Sequence, residues 1–139
     1  TREYLSTATQ PGADTALLHA VGTTGSQRAE LHGQARTEID QLVDNRLPWV
    51  HAVGMLLSAA LAAQQGKDEL AVERLRVAVD QLEAGEMKLY AAAARIRLGA
   101  LLGGDEGAGF LSAGRDFMEL QGVRDQAGMT SMLAPGFQD

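Results

Sequence analysis

Apolar residues along this chain recur every three or four positions, and no stretch alternates apolar with polar residues as a half-buried strand would. Over residues 27–45, Leu31, Ala35, Ile39, Leu42 and Val43 fall four, four, three and one apart, which makes a single stripe on one helix face. Pro48 predicts a new helix start, because the N–H it lacks is one that a first turn leaves unpaired anyway. That helix carries Trp49, Val53, Leu56, Ala60 and Leu61 and ends near Gly66. Asp68 is expected to cap the next helix, which buries Leu70, Ala71, Leu75, Ala78, Val79 and Leu82. Gly85 is expected to end it in the left-handed conformation. A further helix over 86–102 shows Met87, Tyr90, Ala91, Ala94, Leu98 and Leu101 at helical spacing, and Gly103-Gly104 stop it. Asp105 is placed to cap a fifth helix with Phe110, Leu111, Phe117 and Met118, ending before Gly122. Asp125 is placed to cap a last short one with Met129, Met132 and Leu133, closed by Pro135.

Residues 1–26 read as a separate, poorly defined N-terminal segment. Breakers at Ser6, Thr7, Thr9, Pro11 and Gly12, and again from Gly22 to Ser26, flank one short helix around Asp14–Val21 with Leu17, Leu18 and Val21 on its apolar side. Residues 27–139 read as the helical domain, with the segment from Met129 to Phe137 capping its open end, since an uncapped terminal unit would expose its apolar face. Tight turns between helices imply antiparallel neighbours. The expected fold is all-α, built of antiparallel helical hairpins stacked on one another.

Composition narrows the function classes. The 139 residues suit one domain. Absence of cysteine excludes disulfide frameworks, thiolate metal sites and thiol catalysis. A net charge of −6 argues against nucleic acid and against an anionic membrane surface as partners. The longest apolar stretch, 49–63, is interrupted by His51 and Ser58 and is too short to span a bilayer. With no leader-like or anchor-like segment, a cytoplasmic address is expected.

No catalytic, cofactor-binding or metal-binding constellation emerges. Gly66-Lys67 has Leu61 where a phosphate loop needs its first glycine. Gly104, Gly107 and Gly109 follow a helix instead of the strand that a dinucleotide fingerprint requires. Asp116-Phe117-Met118 lacks the glycine of the kinase metal-binding triplet. His19, His32 and His51 are too far apart to share a helix face as metal ligands. Ser58 and Ser112 lie inside helices, away from any nucleophile elbow. Asp68-Glu69 and Asp105-Glu106 sit where a helix dipole favours negative charge. Arg36/Asp40, Arg76/Asp80 and Arg115/Glu119 read as solvated helix-face pairs.

Around Gly66-Lys67-Asp68 a turn separates two helices, and Ala71, Leu75 and Ala78 then follow at the spacing that lets a second helix nestle against a first. Residues 52–85 thus resemble a tetratricopeptide repeat. Ala59 fits the small position of its first helix. Met55, Ser58 and Ala62 stand where the pattern prefers Trp, Leu and Tyr, and Glu83 stands in place of the closing proline. A broader resemblance covers about residues 46–137. It rests on the phrases Leu89-Tyr90-Ala91-Ala92-Ala93-Ala94-Arg95, Arg97-Leu98-Gly99-Ala100-Leu101-Leu102-Gly103-Gly104-Asp105-Glu106-Gly107, Gln121-Gly122-Val123-Arg124-Asp125 and Met132-Leu133-Ala134-Pro135-Gly136-Phe137. Together these are similar to the C-terminal tetratricopeptide-like region of large bacterial signalling proteins, in which a Ser/Thr protein kinase domain and an ATPase module come first. The resemblance implies a right-handed, divergent repeat array, with Thr1 a cut point and Asp139 close to a natural C-terminus. Kinase activity and ATP binding would then belong to the parent chain.

In such hairpins the first helix lines a concave groove, so the resemblance makes Val53, Leu56, Ala60, Tyr90, Ala94 and Arg97 a shallow surface for a protein or peptide, upstream domains of the same chain included. Two alternatives stand beside this reading. One is a homo-oligomerisation module, forming a homodimer. The other is a small-molecule effector sensor, which requires a closed pocket lined by Trp49 or Tyr90. Trp49 itself reads either as a core anchor or as an exposed contact.

Overall fold

The computed structural model describes residues 13–21 and 25–138. It contains seven helices and no strand among those residues: α1 (Ala13–Val21), α2 (Gly25–Val43), α3 (Pro48–Gln64), α4 (Asp68–Ala84), α5 (Lys88–Leu102), α6 (Gly104–Leu120) and α7 (Gln126–Leu133). From α1 to α6 each helix packs on the next, α1 also reaches α3, and α5 carries α7. One continuous apolar cluster runs through them, from Ala16 and Leu17 in α1 through Leu56, Leu75, Leu82 and Leu98 to Met118 and Phe137. Ala16 and Leu17 of the short N-terminal helix thus share one apolar cluster with the helices that follow. The breaker cluster 6–12 and residues 22–24 lie outside the described residues. Gly25 and Ser26, expected as breakers, open α2.

The turns follow one design. After α3, α4 and α6 the last apolar turn closes by two main-chain bonds, N–H of Lys67, Met87 and Val123 donating to the carbonyls of Ala62, Leu82 and Met118 across six residues, with a shorter bond nested inside each. The residue before each of those donors must take positive φ. Gly66 (φ +78°) and Gly122 (φ +77°) do so without a Cβ penalty. After α4 the position falls on Glu86 (φ +62°), while Gly85 has φ −86°. The left-handed residue is thus one place later than expected, because Met87 packs against the core and sets where the helix ends.

Capping departs from the pattern too. Asp68 is the first residue of α4 and Asp105 lies in the first turn of α6; neither is the cap residue, the caps being Lys67 and Gly103. Both acids still face the positive end of the helix dipole. Asp125 caps α7 as expected, accepting from the Gly128 N–H at 2.9 Å.

Close approach distinguishes two crossings. A Cβ on Gly54 would lie 2.8 Å from Leu42 Cβ, so α2 and α3 touch there nearly backbone to backbone. A Cβ on Gly99 would lie 2.6 Å from the Gly107 carbonyl oxygen, and one on Gly107 would lie 2.6 Å from the Gly99 oxygen. One on Gly114 would meet the Ala92 oxygen at 2.6 Å. Helices α5 and α6 therefore dock along Ala92, Gly99, Gly107 and Gly114, which gives Gly107 of the apparent nucleotide motif a packing role.

Candidate interaction groove

The face of the molecule with the densest polar organisation lies where α1, α2, α3 and α5 meet the residues after α7. Pro135 cannot continue a helix, and the chain from Ala134 to Phe137 runs back over α3 and α5, buried along its length. Gln64, the last residue of α3, joins four segments. Its Nε2 donates to the Leu17 carbonyl of α1 (2.8 Å) and to the Gly136 carbonyl (2.6 Å). Its Oε1 accepts from His32 Nε2 of α2 (2.8 Å), which places that ring proton on Nε2. Its own carbonyl, one of those a helix C-terminus leaves without an internal partner, accepts from Arg28 Nη2 (2.7 Å).

Arg97 of α5 is the second fixed point. It is 6% exposed, and a buried guanidinium is retained only where acceptors meet it. Its Nε donates to the Ala134 carbonyl at 3.0 Å, and its Cζ lies 5.3 Å from the centroid of the Phe137 ring. Such stacking is worth up to about 2 kcal/mol when water is excluded. Gly136 adopts φ +92°, and a Cβ there would come within 2.9 Å of Leu17 Cβ and 3.1 Å of Ala60 Cβ, so only glycine lets the segment lie this close. Beside it an open cleft of about 420 Å³ remains, with Val21, Arg28, Ala63, Arg97, Leu101 and Phe137 among the residues lining it. Arg28 Nε is enclosed without an acceptor.

Of the six expected groove residues, Ala60 and Arg97 meet the returning segment, Leu56 and Ala94 are buried in the core, and Val53 and Tyr90 are half-buried against it. Sequence reasoning missed Gln64, Arg28 and the role of the segment after α7. A carboxamide directly following the small apolar run Ala59–Ala63 was the available signal, since a polar group extending a buried face needs partners. Trp49 is 55% exposed and flanks Leu47 at 53%, so it is not a core anchor; Val50 turns inward in its place. Neither Trp49 nor Tyr90 lines the cleft. Leu18, expected on the apolar side of α1, is 51% exposed, and Ala16, Leu17 and Ala20 form the buried side.

Other polar candidates resolve into structure. Ser58 accepts from Arg74 Nη1, a bond that ties α3 to α4. His51 Nδ1 donates to the Val43 carbonyl at 2.6 Å and fastens the α2–α3 turn. Arg76 reaches Glu106 across helices at 3.0 Å, not Asp80 on its own helix, and lies over the Phe110 ring. Glu83 holds Arg95 at 2.6 Å and Lys88 at 3.4 Å. Among the described residues no three His, Cys, Asp or Glu side chains form a cluster that could hold a metal ion, and no helix is long and apolar enough to cross a membrane. No family model, curated protein or solved structure matches this chain.

Proposed function

We propose that this chain is a non-catalytic protein-interaction module, a divergent tetratricopeptide-like stack of antiparallel hairpins that binds a non-helical segment of a protein in the groove between α1, α3 and α5. One observation carries the reading: in that groove, side chains of two helices grip the main-chain carbonyls of a non-helical segment, at Ala134 and Gly136. Helix-on-helix packing has no use for such bonds, whereas a non-helical segment leaves its carbonyls open to them. A docking or regulatory tail of a larger signalling protein is the biological setting this chemistry suits, and the parent's upstream domains are natural partners.

The test is selection of short peptides from a displayed random library against the chain. Retrieved peptides should bind the wild-type chain and lose binding to Gln64→Ala, with helix content unchanged by circular dichroism. Peptides indifferent to Gln64, or none at all, would remove this reading.

A further inference from the structure

We propose that the groove is an exchangeable docking site whose resident is the chain's own segment Ala134-Pro135-Gly136-Phe137, and that a partner displaces it with a turn-forming segment of the same small–proline–glycine–aromatic chemistry. This rests on the protein-binding reading and adds to it the ligand class and the competitor.

The resident is held as a ligand would be. The two carbonyls gripped, those of Ala134 and Gly136, lie on either side of Pro135 in a tight turn whose Gly136 takes positive φ. These bonds read the main chain and are indifferent to side-chain identity. Selectivity comes from the shape of the seat. Proline keeps the segment out of a helix. Glycine is required where a Cβ would strike Leu17 and Ala60. An aromatic ring stacks on the Arg97 guanidinium. The resident also leaves its seat incompletely used. A cleft of about 420 Å³ adjoins it, lined by Val21, Ala63 and Leu101 among others. A partner segment whose chain continues past its aromatic residue fills that cleft, which the resident leaves open.

Tethering sets the threshold for exchange. A segment joined to its site by a short connection acts at an effective concentration of order millimolar. The same segment supplied free must therefore reach about millimolar concentration to displace half of it.

The experiment titrates the full ¹⁵N-labelled wild-type chain with an unlabelled synthetic peptide of residues 132–138. The amide signals of Gly136 and Phe137 should move to free-tail positions, half-complete at about 1 mM peptide, while those of α4 stay in place. In a second arm, Gly136→Ala unseats the tethered segment, and calorimetry should show the wild-type peptide binding about ten-fold or more tighter to that chain than to the unsubstituted one. Adding Gln64→Ala should abolish the binding. Tail signals unmoved by excess peptide would overturn the proposal, and the wild-type titration does not depend on any variant folding. Dimers that form with protein concentration and vanish in Gln64→Ala would overturn the partner assignment in favour of a second copy's tail. A chain that binds library-selected peptides through Gln64 yet never releases its tail refutes this inference alone. A chain that binds no peptide refutes the reading beneath it.

Discussion

At the scale of single residues, Glu86 and Glu83 show how neighbours override local preference. Glu86 occupies the left-handed position after α4, a conformation that costs a non-glycine residue roughly 1 kcal/mol. Glu86→Gly should relieve that strain and lose part of the gain to a freer unfolded chain. The expected net is about 0.5 kcal/mol of stabilisation, a rise of about 2 °C in melting temperature; a lower melting temperature would show that the turn is not strained. Glu83 has its carboxyl pKa held below the ordinary value of 4.5, first by the hydrogen bond from Arg95, with the charges of Arg95 and Lys88 adding to it and desolvation opposing. Since the folded pKa lies below the unfolded one, this stabilisation is present above about pH 4.5 and is lost as pH falls through the folded value. Melting curves across that acid range should fall less steeply for Glu83→Gln than for the wild type; parallel curves would show that the pair contributes nothing. Neither effect was legible from spacing alone. The sequence places a glycine at Gly85, but the apolar seat of Met87 decides which residue turns left-handed.

At the scale of elements, glycines inside helices divide into two kinds. Gly99 and Gly107 permit backbone contact between α5 and α6, and a methyl group on either would meet the other's carbonyl oxygen at 2.6 Å. Gly109 lies one residue beyond Ala108 on the same helix with nothing within 4 Å. Gly99→Ala should therefore destabilise by about 1–3 kcal/mol, since backbone must move. Gly109→Ala should stabilise by about 0.5–1 kcal/mol through helix propensity. Chemical denaturation of both variants checks the contrast, and two shifts of the same sign would contradict the crossing geometry. The helices themselves were legible in the sequence: the stripes in 27–45 and 68–84 led to α2 and α4 within two residues, and Ala71, Leu75, Ala78, Val79 and Leu82 are buried as their spacing requires, while Leu70, expected with them, is half-buried. Which face of each helix is most tightly covered was less legible, because alanine and glycine occur on every side of α5 and α6.

At the scale of the molecule, Gln64 holds together residues 47 and 72 positions away along the chain, Leu17 and Gly136. Gln64→Ala should leave the Gly136 carbonyl and the His32 Nε2 proton without their partner, which costs about 1–3 kcal/mol for buried groups. Denaturant unfolding measures that loss, and hydrogen exchange should show it concentrated at residues 134–138. A loss spread evenly over α4 and α6 would mean that Gln64 acts only through general packing.

What the sequence by itself determined is the all-helical fold, the succession of helices and most of the residues that line their buried stripes. Each of these follows from hydrophobic spacing at 3.6 residues per turn and from proline and glycine punctuation, which act over a few positions. The groove belongs to the tertiary structure. Arg97 could be picked out from its place on α5, but the segment it grips, the carboxamide that shares the grip and the arginine at the cleft wall come from three other parts of the chain. No local pattern relates them, since a hydrogen bond to a main-chain carbonyl leaves no mark on the identity of the residue that accepts it.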